Sequence, residues 1–152
     1  MCDHGGTDGP LPNCYSIPSG DIQCERKCLP EYNISYENDK HYGESYYIIE
    51  PEVSAIQEEI MTYGSVMTSF RAYEDFVTYR SGVYRHVSGA KGGMHTLKIL
   101  GWGFENNTPY WLCANSWNQY WGENGYVKFL RGHDECGIET MVAAGLAKII
   151  NN

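Results

Sequence analysis

No stretch of the 152 residues is apolar over the length needed to cross a bilayer, so nothing in the sequence calls for a membrane partner. Positive charge is scarce as well. Eleven Lys and Arg stand against nineteen Asp and Glu, a formal charge of −8. That balance excludes a surface built to neutralise phosphates, so no nucleic-acid partner is expected. Internal repeats and low-complexity tracts are lacking. So is a basic, apolar secretory leader, because Met1 is followed at once by "CDHGGTDGPLPNC".

What the sequence does have is glycine (17) and tyrosine (13), which favour strands, turns and aromatic packing over long helices. Cys2, Cys14, Cys24 and Cys28 crowd into the first 28 residues among Gly, Pro and Asp, where no core exists to bury free thiols. That points to disulfides and an oxidising compartment. A zinc site from Cys2, His4, Cys14, Cys24 and Cys28 competes, but its spacings match no standard knuckle, and no metal or cofactor is expected. Two glycosylation sequons, Asn33-Ile34-Ser35 and Asn106-Asn107-Thr108, agree with the secretory reading, and Pro109 after the second disfavours its use. Secretory features without a leader lead to the expectation that the chain is a piece of a longer protein.

Along the chain, residues 1–32 read as loop. From Pro51, "PEVSAIQEEIMTY" sets Val53, Ile56, Gln57 and Ile60 on one helical face, with Pro and Glu in the first turn and Gly64 as the stop. Strand-like runs follow at 65–70, 82–87, 95–102, 109–115 and 126–131, and "MVAAGLAKII" reads as a closing strand. One helix and five or six short strands predict an α+β chain with a mostly antiparallel sheet or barrel and a loop-rich front.

Two motifs carry chemistry. "GGMHTLKILGWG" opens a strand at His95, and a hairpin later "CANSW" brings Asn115 and Trp117. Either residue alone is ordinary: a histidine at a strand start is most often structural, and an asparagine at a strand end most often caps a turn. Together they suit thiol nucleophilic catalysis, in which an imidazole takes the proton of a cysteine and holds the thiolate. A neutral asparagine oxygen fixes the imidazole tautomer without adding charge, and an indole keeps water off that hydrogen bond.

With these motifs, "YWLCANSWNQYWGENGYVKFLRG", "ECGIE", "DKHYG" and "SGVYRHVSG", nearly the whole chain resembles the C-terminal half of papain-family cysteine peptidases, and their cathepsin B-like branch in particular. The resemblance implies that residues 1–32 are an occluding-loop segment and residues 33–152 the right-hand β-barrel domain. It implies His95 as catalytic base, Asn115 as its orienter and Trp117 as shield and part of the primed-side wall. Peptides or proteins would be the substrates, and the lysosome or the extracellular space the location. The family nucleophile lies in a Cys-Gly-Ser-Cys-Trp stretch, with the His and Asn about 130–150 residues downstream. Only 94 residues precede His95, and no cysteine here has that context. Cys113 and Cys136 read as buried small hydrophobes. The resemblance therefore places the nucleophile in an absent N-terminal helical half, which would be this chain's partner, and predicts that the chain alone is inactive. It also implies a Cys2–Cys14 bridge in the loop, and partners for Cys24 and Cys28 in the absent half.

Several positions depart from the family pattern. His4 stands for the first of two loop histidines that receive a substrate's terminal carboxylate, and Gly5 for the second. Leu11 and Tyr120 occupy the sites of an Arg–Asp pair that tethers the loop. Met94 replaces a glycine, Thr96 a small residue beside the S2 pocket, and Met141 the glutamate at its base. These changes keep one rival reading open, a non-catalytic secreted homologue that binds partners or matrix. The residue at the nucleophile position decides between the two.

Overall fold

The computed structural model describes Pro10 and residues 24–148. The helix predicted from Pro51 is α1, Val53–Tyr63. Ile56 is fully buried, with Val53 and Ile60 packed against the core beside it. Glu52 is extended (φ −118°, ψ 133°) and forms the N-cap, so Pro51 and Glu52 precede the first turn and do not lie within it. Gly64 ends the helix at φ 105°, a conformation that costs a side-chain-bearing residue.

Seven strands form one sheet: β1 (Gly43–Ile48), β2 (Val66–Tyr73), β3 (Val83–Tyr84), β4 (Lys91–Glu105), β5 (Thr108–Ala114), β6 (Tyr126–Leu130) and β7 (Met141–Ala147). Their spatial order is β1-β7-β2-β4-β5-β6-β3, antiparallel except for the β3–β6 pair. The architecture is mostly antiparallel α+β, as expected. The sheet is open among the described residues, with β1 and β3 at its edges, so of the expected sheet or barrel it is the open sheet that is seen. Strand β1 and the four-residue helix α2 (Glu74–Val77) have no counterpart in the sequence reading.

Alternation along the strands sends Phe70, Leu97, Ile99, Trp111, Cys113, Val127, Phe129 and Val142 to the core face. Removing each large apolar side chain from water stabilises by about 1.5–3 kcal/mol, so this face contributes a large share of the gain from burial. Two devices then aim residues at the candidate site. The β4–β5 hairpin turns through Asn106 and Asn107 at φ 48° and 63°, the left-handed pair of a two-residue hairpin, which brings Ala114 opposite Lys98. Helix α2 is clamped by the segment after β3. Asp75 accepts hydrogen bonds from the N–H of Val87 and Ser88 (2.8 and 3.2 Å) and the hydroxyl of Tyr84 (2.8 Å), while Glu74 accepts from the Ala90 N–H (3.0 Å). The clamp drives Phe76 into the core, where it is fully buried.

Candidate active site

His95 lies three strand positions past Gly92 on β4, in register with Phe70 of β2. Its ring meets Phe70 edge-on at 5.8 Å, Phe76 at 6.0 Å, and Trp117 at 5.0 Å with a 34° tilt. Phe76 and Trp121 in turn pack against Trp117 at 5.5 and 5.1 Å. The imidazole therefore stands in an aromatic setting, half-buried. The Trp121 indole N–H donates to the Val77 carbonyl (2.9 Å), tying this aromatic group to α2.

Asn115 follows β5, and its backbone N–H donates to the Gly125 carbonyl at 2.9 Å. The side-chain oxygen stands 2.9 Å from His95 Nε2 and also accepts the Ser116 N–H at 2.7 Å. The second contact identifies the atom, because a backbone N–H can point at the amide oxygen but not at the amide nitrogen. His95 Nε2 must then carry the hydrogen it shares with that oxygen, and in the neutral ring Nδ1 keeps a lone pair. That lone pair can accept a proton. Asn115 Nδ2 is buried and makes no hydrogen bond among the described residues.

Two thiols of the described residues, Cys113 and Cys136, are unsuited to a nucleophilic role. Cys113 is wholly buried, and burial pushes its thiol far above the usual range. Burial first, and then a hydrogen bond to Glu135, push the Cys136 thiol up to about 12. Both shifts run opposite to what an activated thiolate requires. Cys24 is exposed and Cys28 partly so, both unbridged among the described residues. His4, Cys2, Cys14 and Leu11 lie outside the described residues. Tyr120, the other tether position, is exposed, and its N–H donates to Asn118 Oδ1 at 2.7 Å.

The substituted positions come together on the other face of the sheet. Ser69 of β2 is in register with Thr96 on one side and Met141 on the other, so Thr96, Ser69 and Met141 form a row across three strands. Ser69 and Thr96 hydroxyls are 3.2 Å apart. Met94 projects beside Arg71, exposed, one position before His95. Ser69 was not singled out in the sequence, because only strand register reveals its place. Phe76 was missed for a similar reason: α2 is too short to show a helical period. Next to this row an open apolar cavity of about 830 Å³ is lined by Tyr46, Met67, Thr96, Asn115 and Ala143 among others. Tyr46, Met67 and Met141 are 85%, 51% and 55% exposed. Among the described residues no three His, Cys, Asp or Glu side chains converge as a metal would require.

Residues 6–146 match the family described as papain family cysteine protease. This chain belongs to that family. Within it, the chain is 48% identical over 147 residues to a cathepsin B-like cysteine proteinase of Schistosoma japonicum, covering 97% of this chain and 43% of the relative. It is 46% identical to cathepsin B-like cysteine proteinase 1 of Haemonchus contortus, over 95% of this chain and 42% of that one. A procathepsin B from Trypanosoma congolense superposes with a TM-score of 0.75 at 36% identity, covering 84% of this chain and 42% of the other. The fold is thus papain-like, and the chain spans about two fifths of the length of the relatives it matches. No helix among the described residues is long and apolar enough to cross a membrane.

Proposed function

We propose that this chain supplies the base and the orienting amide of a cathepsin B-like cysteine peptidase, with the nucleophilic cysteine carried by a segment outside these 152 residues. The observation that carries the reading is the His95–Asn115 hydrogen bond, which leaves Nδ1 as the proton acceptor. In the complete protein the thiol gives its proton to Nδ1, and Asn115 holds the resulting imidazolium through Nε2–H. The thiolate attacks the peptide carbonyl carbon. His95 then returns the proton to the departing amine, and the thioester is hydrolysed by water that His95 deprotonates. Trp117 and Phe76 limit water at the Nε2–H bond, which strengthens it.

The exposed apolar face of Tyr46, Met67 and Met141 is where the nucleophile-bearing half docks, closing the substrate cleft beside Thr96 and Met94. Residues 1–32 form the occluding-loop segment, with Cys2 bridged to Cys14 and with Cys24 and Cys28 bridged to that other half; residues 33–152 are the right-hand domain. The substrates are peptides and proteins, met in a lysosomal or extracellular compartment. A dipeptidyl fluorogenic amide and an epoxide that alkylates the family thiol test the reading on the complete protein. Turnover and alkylation should both collapse in His95→Ala. Turnover that survives this substitution, or the absence of any thiol-dependent turnover in the unaltered protein, would overturn it.

A further inference from the structure

We infer that Asn33 is a site of N-linked glycosylation and that the second sequon asparagine, Asn106, stays unmodified. The inference rests on the secretory location proposed above. Asn33, Ile34 and Ser35 are all exposed and lie outside every strand and helix. The Asn33 side chain makes no hydrogen bond among the described residues, so its amide is uncommitted. The turn that follows hangs on Ser35. Its carbonyl accepts the N–H groups of Asn38 (2.9 Å) and Asp39 (3.0 Å), and its hydroxyl oxygen accepts from Asn38 at 3.4 Å. With the oxygen of that hydroxyl used as acceptor, its hydrogen remains for donation to the asparagine amide two residues back, the interaction a sequon exists to provide.

Apolar surface flanks the site. Tyr32 and Ile34 are 46% and 45% exposed, and the Tyr32 hydroxyl donates to Asp39 at 2.9 Å. The C–H face of a pyranose covers such a ring, as apolar area removed from water is favourable.

Asn106 has the opposite surroundings. It is the first residue of the two-residue β4–β5 turn, with Glu105 and Thr108 already paired across the ladder. Its hydroxyl partner Thr108 is half-buried in β5, and Pro109 follows. Hairpins close in about 1–10 μs. Synthesis adds residues at about 5–20 per second. The Asn106 turn therefore closes before an enzyme can engage it, whereas the Asn33 segment has no such competitor.

In the transfer, Asn33 Nδ2 attacks C1 of the reducing-end sugar of a lipid-pyrophosphate-linked oligosaccharide. The C1–N bond forms, the C1–O bond to phosphate breaks with its electron pair leaving on the lipid pyrophosphate, and the one proton that the amide loses balances the charge released on that pyrophosphate.

The test uses the complete protein secreted from eukaryotic cells, digested with trypsin after peptide N-glycosidase treatment in heavy-oxygen water. The peptide spanning 28–40 should carry labelled aspartate at position 33, and the peptide spanning 99–128 should keep asparagine at 106. Asn33→Gln and Ser35→Ala should each remove the mobility shift that glycosidase removes, Ser35→Thr should retain it, and Asn106→Gln should leave it unchanged. Unmodified Asn33 overturns the inference, and a glycan on Asn106 overturns its second half. Thiol-dependent peptidase turnover, measured on the same preparation, separates the readings. An active but unglycosylated protein sinks only this inference, and a glycosylated protein without turnover sinks only the peptidase assignment.

Discussion

At the scale of single residues, the Asn115 oxygen does two things at once. It receives a backbone N–H, which fixes the amide, and it receives His95, which the fixed amide then orients. On the proposed function, Asn115→Ala should therefore lower the kcat of the complete protein with little change in KM. Loss of a hydrogen bond to a charged group costs about 1.5–3 kcal/mol, roughly ten- to a hundredfold in rate. A KM effect with kcat intact would show that the amide serves binding instead. Met141→Glu is the complementary change. It sets a carboxylate at the end of the row formed with Ser69 and Thr96. Turnover of an Arg-Arg substrate should rise relative to Val-Arg, because burying a guanidinium without a partner costs several kcal/mol. An unchanged ratio would remove Met141 from the substrate pocket. His95, Asn115 and Trp117 were legible from spacing, because a strand, a hairpin and a strand end fix their separation. Ser69, Phe76 and the Ser116 N–H were not, since each acts through a register or a backbone direction that residue type does not encode.

At the scale of elements, one buried and one part-buried carboxylate hold the turns that flank the sheet. Glu139 is almost wholly buried, and it accepts the Trp111 indole N–H (2.8 Å) and the N–H groups of Gly132 (2.6 Å) and Asp134 (2.8 Å). Glu139→Ala strands three donors, each costing about 1–3 kcal/mol, so the variant should lose at least about 3 kcal/mol in urea unfolding. A loss below about 1 kcal/mol would mean that these donors find other partners. Asp75 gives a pH signature. Partial burial pushes its carboxyl up, but the Val87 and Ser88 N–H groups, the Tyr84 hydroxyl and His86 outweigh that and bring it down to about 2. A carboxylate depressed in the folded state contributes stability above its unfolded value near 3.9 and loses that contribution as pH falls through about 2. The contribution is about 2–3 kcal/mol, since Asp75 is only slightly exposed. The stability gap between the unaltered protein and Asp75→Asn should be widest above about pH 5 and close as pH falls toward that range. A gap independent of pH would assign Asp75 a purely steric role. The strands predicted from alternation were found within a few residues, β3 as a two-residue piece of the run expected at 82–87, because their faces differ in burial. β1 was invisible because all of its residues but Tyr47 are exposed, so its sequence "GESYYI" carries no two-residue pattern.

At the scale of the whole molecule, one face of the sheet is finished and the other is not. The core face is dry and aromatic, while the face bearing Tyr46, Met67 and Met141 opens onto the apolar cavity. Apolar patches of this kind drive association. The 152-residue chain on its own should sediment as oligomers whose size grows with concentration, and it should not turn over the dipeptidyl amide. A monodisperse monomer would indicate that the face tolerates water, and thiol-dependent turnover would place a nucleophile within the chain.

The order of strands also sets a timetable for biosynthesis. β7 sits between β1 and β2, joining strands that left the ribosome long before it. The β4–β5 hairpin, and with it the meeting of His95 and Asn115, can form from contiguous chain. The β1–β7–β2 side cannot exist until nearly all of the described chain has been translated. A nascent chain would thus bring His95 and Asn115 together early and add the strand that carries Met141 among its last acts of folding. Until then β1 has no partner strand, and a chaperone that caps such edges would find its client there.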